Sequence, residues 1–239
     1  MNDYVVLIPS YHRAERQSTL ELISGAYPDS RIVIGTQCRE DYQEYSDRYG
    51  DKATIVYKEG DSVGHNRNTL LEYCCSQGID KAVMLDDDIR GFIFADKKEI
   101  RTAKDVRLLI DYCMTTATQR KAMVWGTYPV ANPFFMKQRA SNSMLTGTCL
   151  GLMNTRLRFD VSFRVKEDYE LSLRIINKGG LSLRFNNLAP MAGHKTKGGC
   201  EKDWQSNIYI TYADMLVSRY PTLVTYSHKS GEVKMIKTK

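Results

Sequence analysis

Asp86, Asp87 and Asp88 stand in a row directly after the apolar run Val83-Met84-Leu85. Three adjacent carboxylates repel one another, so gathering them in a fold is unfavourable unless a cation neutralises them. The first and third side chains can converge on one divalent ion while the middle one points elsewhere. A small set of oxygen donors with room for phosphate suits Mg2+ or Mn2+. A solvated acidic turn would carry the same residues, but a place at the end of a buried strand favours the metal site. A second acidic pair, Glu167-Asp168, follows Lys166 and opens a predicted helix, Tyr169 to Asn177. The helix dipole alone favours acids there; a carboxylate so placed can also take the proton of an attacking hydroxyl. His194 lies between Gly193 and Lys195, with Lys197 and Gly198-Gly199 beyond. A basic, glycine-flanked loop of this kind can close over a diphosphate, and the imidazole can complete a metal's coordination.

These groups need elements to hold them. Val5-Val6-Leu7-Ile8-Pro9 reads as a strand buried on both faces, and further strands are expected at Arg31–Gly35, Ala53–Tyr57 and Lys81–Leu85. Helices are expected between them, at Glu15 to about Ala26, Glu40–Tyr49 and Asn66–Ser76. This alternation predicts an α/β fold, a Rossmann-like and mostly parallel sheet flanked by helices, with ligands beyond the carboxyl ends of the strands. The residues to watch are therefore Pro9 to Arg13, Thr36 to Arg39 and Asp86 to Asp88. After residue 90 the regular alternation stops. Helices are expected at Ala103–Thr118 and Trp204–Arg219, strands at Ala122–Trp125, Thr148–Leu152 and Leu181–Phe185, and Gly179-Gly180 as the stop of the helix before them. Thr222–Met235 is strand-like without an evident role.

At 239 residues the chain is expected to form one domain of two halves, the regularly alternating 1–90 and the less regular 91–239. The formal net charge of +6 favours an anionic partner. The six cysteines form no C-x-x-C pair, the amino terminus has no basic-then-apolar leader, and no apolar run approaches the roughly 18 residues of a membrane span. A cytoplasmic protein with reduced thiols and no membrane partner is the expectation.

Four motifs in order make a resemblance specific. Val5 to Tyr11 resembles the opening strand of family 2 glycosyltransferases with the GT-A fold. Gly64-His65-Asn66-Arg67-Asn68 is similar to their Gly-x-x-Ala-Arg-Asn segment, departing from it at His65-Asn66. Asp86-Asp87-Asp88 matches their D-x-D signature, and Glu167-Asp168 their E-D motif. The resemblance implies a metal-dependent enzyme that moves a sugar from a nucleotide-sugar to a hydroxyl. Pro9, Tyr11, Arg13, Gln37, Arg67, Asp86, Asp87, Lys195 and Lys197 would hold the donor. Asp86, Asp88 and His194 would bind Mn2+ or Mg2+, and Asp168 would be the catalytic base with Glu167 as the alternative. A base at Asp168 implies inversion at the anomeric carbon; a retaining outcome stays open.

The opening Ile-Pro-Ser-Tyr-x-Arg-Ala and the His-Lys-x-x-Gly-Gly loop resemble the phage-encoded, TET-associated DNA glycosyltransferases, relatives of the base J glucosyltransferase. That resemblance implies a UDP-sugar donor, glucose above all, and 5-hydroxymethylcytosine or a related hydroxymethylpyrimidine in DNA as acceptor, in the cytoplasm of a bacterial host. Lys137, Arg139, Arg156, Arg158 and Arg164 are expected to meet DNA phosphates, interleaved with Phe134, Phe135, Phe159 and Phe163 as apolar wedges. The same aromatics could equally be core. A transferase for glycans, proteins or small molecules, and a non-catalytic nucleotide-sugar or nucleic-acid binding module, are the competing readings.

Overall fold

The computed structural model describes residues 3–96, 99–193 and 207–236. The first four strands are β1 (Val5–Pro9), β2 (Ile32–Thr36), β3 (Thr54–Tyr57) and β4 (Ala82–Leu85). They pair in parallel in the order β3-β2-β1-β4. Between them run α1 (Ser18–Ile23), α2 (Arg39–Tyr49) and α3 (Val63–Ser76).

The sheet continues through β9 (Cys149–Leu152), antiparallel to β4, and β7 (Val124–Thr127), antiparallel to β9. Two reversals make β7 run the same way as β4. β10 (Ser182–Phe185) then joins parallel to β7, and the short β8 (Ser141–Asn142) closes the edge. The expected sheet, mostly parallel and covered by helices, is what the chain forms.

Alternation along β1 explains why its whole sequence is apolar. Val6 and Ile8 enter one core with Leu20, Ile23, Tyr45 and residues of α4 (Val106–Gln119), such as Ile110 and Met114. Val5 and Leu7 enter the other, with Leu70, Leu71 and Cys74 of α3 and Leu171 and Ile175 of α5 (Glu167–Asn177). Side chains two apart share a face, so a strand covered on both sides has no position left for a polar residue. Each such side chain contributes about 1.5–3 kcal/mol by leaving water.

Two expectations are corrected. The first helix is six residues long, because Gln17 is drawn inward and its amide bonds Ser10 Oγ at 2.9 Å and the Arg13 carbonyl at 3.1 Å. That turns residues 13–17 into a loop wall rather than a helix start. After residue 90 the alternation stops as expected, but this stretch holds two strands that were not expected: β5 (Ile89–Asp96) pairs antiparallel with β6 (Glu99–Thr102) and with β11 (Leu188–Ala192) in a separate three-stranded sheet. The last helix, α6, is described over Ile208–Arg219. The hairpin β12 (Val224–Tyr226) and β13 (Val233–Met235) packs Val224 and Val233 with Leu216 of α6 and Leu173 of α5, giving the C-terminal segment its role. Among the described residues, no helix is long and apolar enough to cross a membrane.

Candidate functional site

Three loops meet beyond the carboxyl ends of β1, β2 and β4. The turn after β4 carries the acidic run, and α1 holds its backbone: Thr19 Oγ1 donates to the Asp86 carbonyl at 2.5 Å and accepts from the Ile89 N–H at 2.9 Å. Asp87 is buried and faces inward, accepting from Arg13 Nη1 at 2.7 Å and from the Ser10 hydroxyl. Ser10 Oγ lies 2.6 Å from the Tyr45 hydroxyl of α2. Burial pushes the Asp87 carboxyl up, against the pull of Arg13 and Ser10.

With the middle acid turned in, Asp86 and Asp88 stand at the mouth, their side chains 34% and 20% exposed. Arg13 also reaches Asp88, at 3.5 Å. Burial, and then the charges of Asp86 and Asp87, push Asp88 up to about 6. A carboxylate pair short of positive charge, made of hard oxygen donors, fits a divalent ion such as Mg2+ or Mn2+. The expected third ligand, His194, lies outside the described residues, as do Lys195 and Lys197.

The Gly64–Asn68 segment ties these loops to the second acidic pair. Ser62 caps α3, its Oγ accepting from the His65 N–H. Asn66 Nδ2 donates to the carbonyls of Ser10 at 3.0 Å and Gly35 at 2.9 Å, lacing the ends of β1 and β2 together. Asn68 holds the Phe159 backbone from both sides, accepting at 2.8 Å and donating at 3.0 Å. Arg67, buried between them, bonds Glu167 Oε1 at 2.5 Å and Asp86 Oδ1 at 3.2 Å, with its guanidinium 5.4 Å from the Phe159 ring centre. It joins the acids after β4 to those at the start of α5.

Gly147 completes this join. A Cβ there would stand 1.9 Å from Arg67 Nη2 and force the guanidinium from its place, and the Gly147 N–H donates to Asp168 Oδ2 at 2.7 Å. Asp168 Oδ1 accepts from the Tyr169 N–H at 2.7 Å. Among the described residues each oxygen accepts this one bond, which leaves it a second lone pair. Burial raises the Asp168 carboxyl, opposed by Arg67 and these two amides. The two acids differ in access: Glu167 is fully enclosed behind Arg67 and pushed up by burial to about 8, whereas Asp168 is half-buried.

Tyr11 follows β1, its ring 3.8 Å from that of His12. His12 adopts a left-handed backbone (φ 54°). It is locked there because Asp41 accepts from its N–H at 2.9 Å and meets its Nδ1 at 3.0 Å. His12, Cys38 and Asp41 are the three ligand-type side chains whose donor atoms approach within 4.8 Å among the described residues. Asp41 is already engaged, so they form a loop lock. Pro9 ends β1 beside Gly35, and Gln37, after β2, is buried with its Oε1 unpartnered.

The expected phosphate-binding cations do not all share one place. Lys137 and Arg139 are exposed on the loop after β7, at the carboxyl edge of the sheet with Asp86. Arg156 and Arg158 follow the far end of β9, where Leu152 pairs with Ala82 at the start of β4, so they begin from the opposite edge. Arg158 is also spent on the carbonyls of Thr155 and Leu157, both at 2.8 Å. Arg164 is exposed just before α5. Phe159 and Phe163 are core residues, and Phe134 and Phe135 are exposed. Thr19, Ser62, Asp41 and Gly147 carry no motif of their own, and sequence reasoning passed over them.

Residues 4–199 match the sequence model of the TET-Associated Glycosyltransferase family, and the chain belongs to that family. Among solved structures it is similar to residues 1–349 of S. aureus TarS, with 12% identity, a TM-score of 0.49, and coverage of 90% of this chain and 66% of that one. The chain thus spans just under two thirds of that fragment. It is also similar to a protein described as a nucleotide-diphospho-sugar transferase from Desulfovibrio desulfuricans G20, with 9% identity, a TM-score of 0.48, and coverage of 92% and 99%. A UDP-glucose pyrophosphorylase complexed with UDP-glucose follows at 9% identity, a TM-score of 0.44, and coverage of 79% and 92%. No curated protein matches.

Proposed function

We propose that this glycosyltransferase uses a UDP-sugar, glucose above all, to glycosylate 5-hydroxymethylcytosine or a related hydroxymethylpyrimidine in DNA. The observation that carries the chemistry is the half-buried Asp168, set across Arg67 and Gly147 from the acidic mouth. The DNA acceptor is supported by the family to which the chain belongs and by the basic, aromatic loop on the same edge of the sheet.

In this reading Tyr11 and Gln37 face the base of the donor, and Pro9 shapes the wall beneath it. Asp86 and Asp88, with His194, hold Mg2+ or Mn2+, which when bound supplies positive charge for the departing diphosphate. Lys195 and Lys197 add to that charge. Arg13 and Asp87 position Asp88, and Arg67 and Glu167 position Asp86. Asp168 takes the proton of the acceptor hydroxyl as its oxygen attacks the anomeric carbon, so the sugar arrives with inversion. Burial raises the Asp168 carboxyl pKa, which makes it a stronger base than a free carboxylate and suits this task.

The test is nucleoside mass spectrometry of hydroxymethylcytosine DNA incubated with the protein, Mn2+ or Mg2+, and a panel of nucleotide-sugars. A hexose-sized mass gain, absent with unmodified DNA, is expected with a UDP-sugar. Donor hydrolysis without any gain in DNA would overturn the acceptor and direct the search to glycans, proteins and small molecules.

A further inference from the structure

The loop between β7 and β8 presents two phenylalanines to solvent in a fixed position. Phe134 is 97% exposed and Phe135 61%. The turn beneath them is closed by the Phe135 N–H donating to the Asn132 carbonyl at 3.1 Å and the Phe134 N–H to Asn132 Oδ1 at 3.1 Å. Met136, next in the chain, is buried against Ile93 and Ala95 of β5 and Ala189 of β11. On the far side the Lys137 N–H donates to the Asn186 carbonyl at 3.0 Å, and Gln138 Nε2 to the Ala95 carbonyl at 2.9 Å. The rings are therefore held out by an anchored turn, and binding through them carries little ordering entropy. Among the described residues no hydrophobic core cluster includes them, and adjacent exposed aromatics on a pinned turn mark a contact surface.

The surroundings select the occupant. From residue 112 to residue 159 the chain has no Asp or Glu, while Lys137 and Arg139 follow just after the two rings. An apolar tip flanked by cations, on a segment without acids, is complementary to stacked bases inside a phosphate framework. Its place fits too. β7 runs with β4, so the loop leaves the same edge of the sheet as Asp86 to Asp88.

We infer that Phe134 and Phe135 form a wedge that enters the DNA duplex and fills the gap left when the target base swings out toward Asp168. The inference rests on the DNA acceptor proposed above. A hydroxymethyl group within a duplex cannot reach the half-buried Asp168 carboxylate unless its base leaves the stack, and an inserted ring offsets the lost stacking.

The experiment compares wild type with Phe134→Ala/Phe135→Ala on one hydroxymethylcytosine oligonucleotide, single-stranded and as a duplex with 2-aminopurine beside the target. Both rings are exposed, so the variant should keep the wild-type melting temperature. The expected result is a loss of about tenfold or more in kcat/KM on the duplex with single-strand transfer unchanged. The 2-aminopurine fluorescence rise on binding without donor should also disappear, and Phe134→Trp should restore it. Equal duplex activity in variant and wild type would overturn the wedge and leave the acceptor standing. So would an equal loss on both substrates, or a change of oligomeric state with duplex activity intact, which would make the tip a protein contact. Wild type inert on both oligonucleotides but still hydrolysing donor would overturn the acceptor reading, and the wedge with it.

Discussion

Asp168 and Glu167 are neighbours of the same chemical type, and their surroundings separate them. Glu167 is sealed against Arg67, whereas Asp168 is half-buried and held by the Gly147 N–H. Asp168→Asn should therefore bind donor as wild type does and lose transfer by about 10²-fold or more, read by single-turnover kinetics; undiminished transfer would remove it as the base. Gly147→Ala tests the neighbouring join. A methyl group 1.9 Å from Nη2 must displace Arg67 and leave Glu167 without its cation. A stability loss of about 3 kcal/mol in urea unfolding, with a fall in kcat/KM, is expected. The acidic run was legible in the sequence because three carboxylates after a buried strand have few other uses. Gly147 was not, since a lone glycine says nothing until the side chain that crosses it is placed.

At the scale of elements, α3 and α5 do most of the positioning. The Gly-x-x-x-Asn stretch reads as a donor-binding motif, yet in the fold Asn66, Arg67 and Asn68 each bond protein. One turn of helix thereby fixes two strand ends, both acidic pairs and the segment before α5. The start of α5 is unusual: Lys166 takes a left-handed backbone (φ 66°) and holds its ammonium 5.6 Å from the Tyr169 ring centre and 4.9 Å from that of Tyr209. Further along α5, buried Glu170 accepts from the Tyr220 hydroxyl at 2.8 Å and lies 3.4 Å from both Arg174 and Arg219. This carboxylate ties α5 to the end of α6. Glu170→Ala leaves the buried Tyr220 hydroxyl unpaired, so calorimetry should show a loss of about 1–3 kcal/mol. A change below about 0.5 kcal/mol would show that the helices dock without it. The α5 helix was predictable from its acids and its Gly179-Gly180 stop, but its partner across the fold was not.

Over the whole molecule, the charge excess and the position of the basic loop set the expected behaviour with DNA. Affinity for hydroxymethylated duplex should fall steeply with salt as counterions are released. Lys137→Ala and Arg139→Ala should each lower the slope of log K against log salt by about one, measured by fluorescence anisotropy, and Arg156→Ala should leave it unchanged. An equal effect of Arg156→Ala would mean that DNA wraps to the opposite edge. The distinction arises from β9: it reverses the chain, so cations only about 20 residues apart in sequence leave opposite edges of one sheet.

The sequence by itself determined the parallel half of the sheet, the placing of the acidic run beyond it, and the two-faced core. Those follow from local rules, namely apolar runs with period two, breakers between them, and carboxylates that repel. It did not determine the strands from Ile89 to Thr102, where Arg90, Gly91 and the charged stretch 96–99 interrupt the apolar pattern and β6 is exposed throughout. Nor could it separate Phe159 and Phe163, which are core, from Phe134 and Phe135, which are not. Only the tertiary structure decided which carboxylate turns inward, which is sealed behind Arg67 and which arginines share an edge with the site. Each depends on contacts between residues far apart in the chain, where residue type alone allows either outcome.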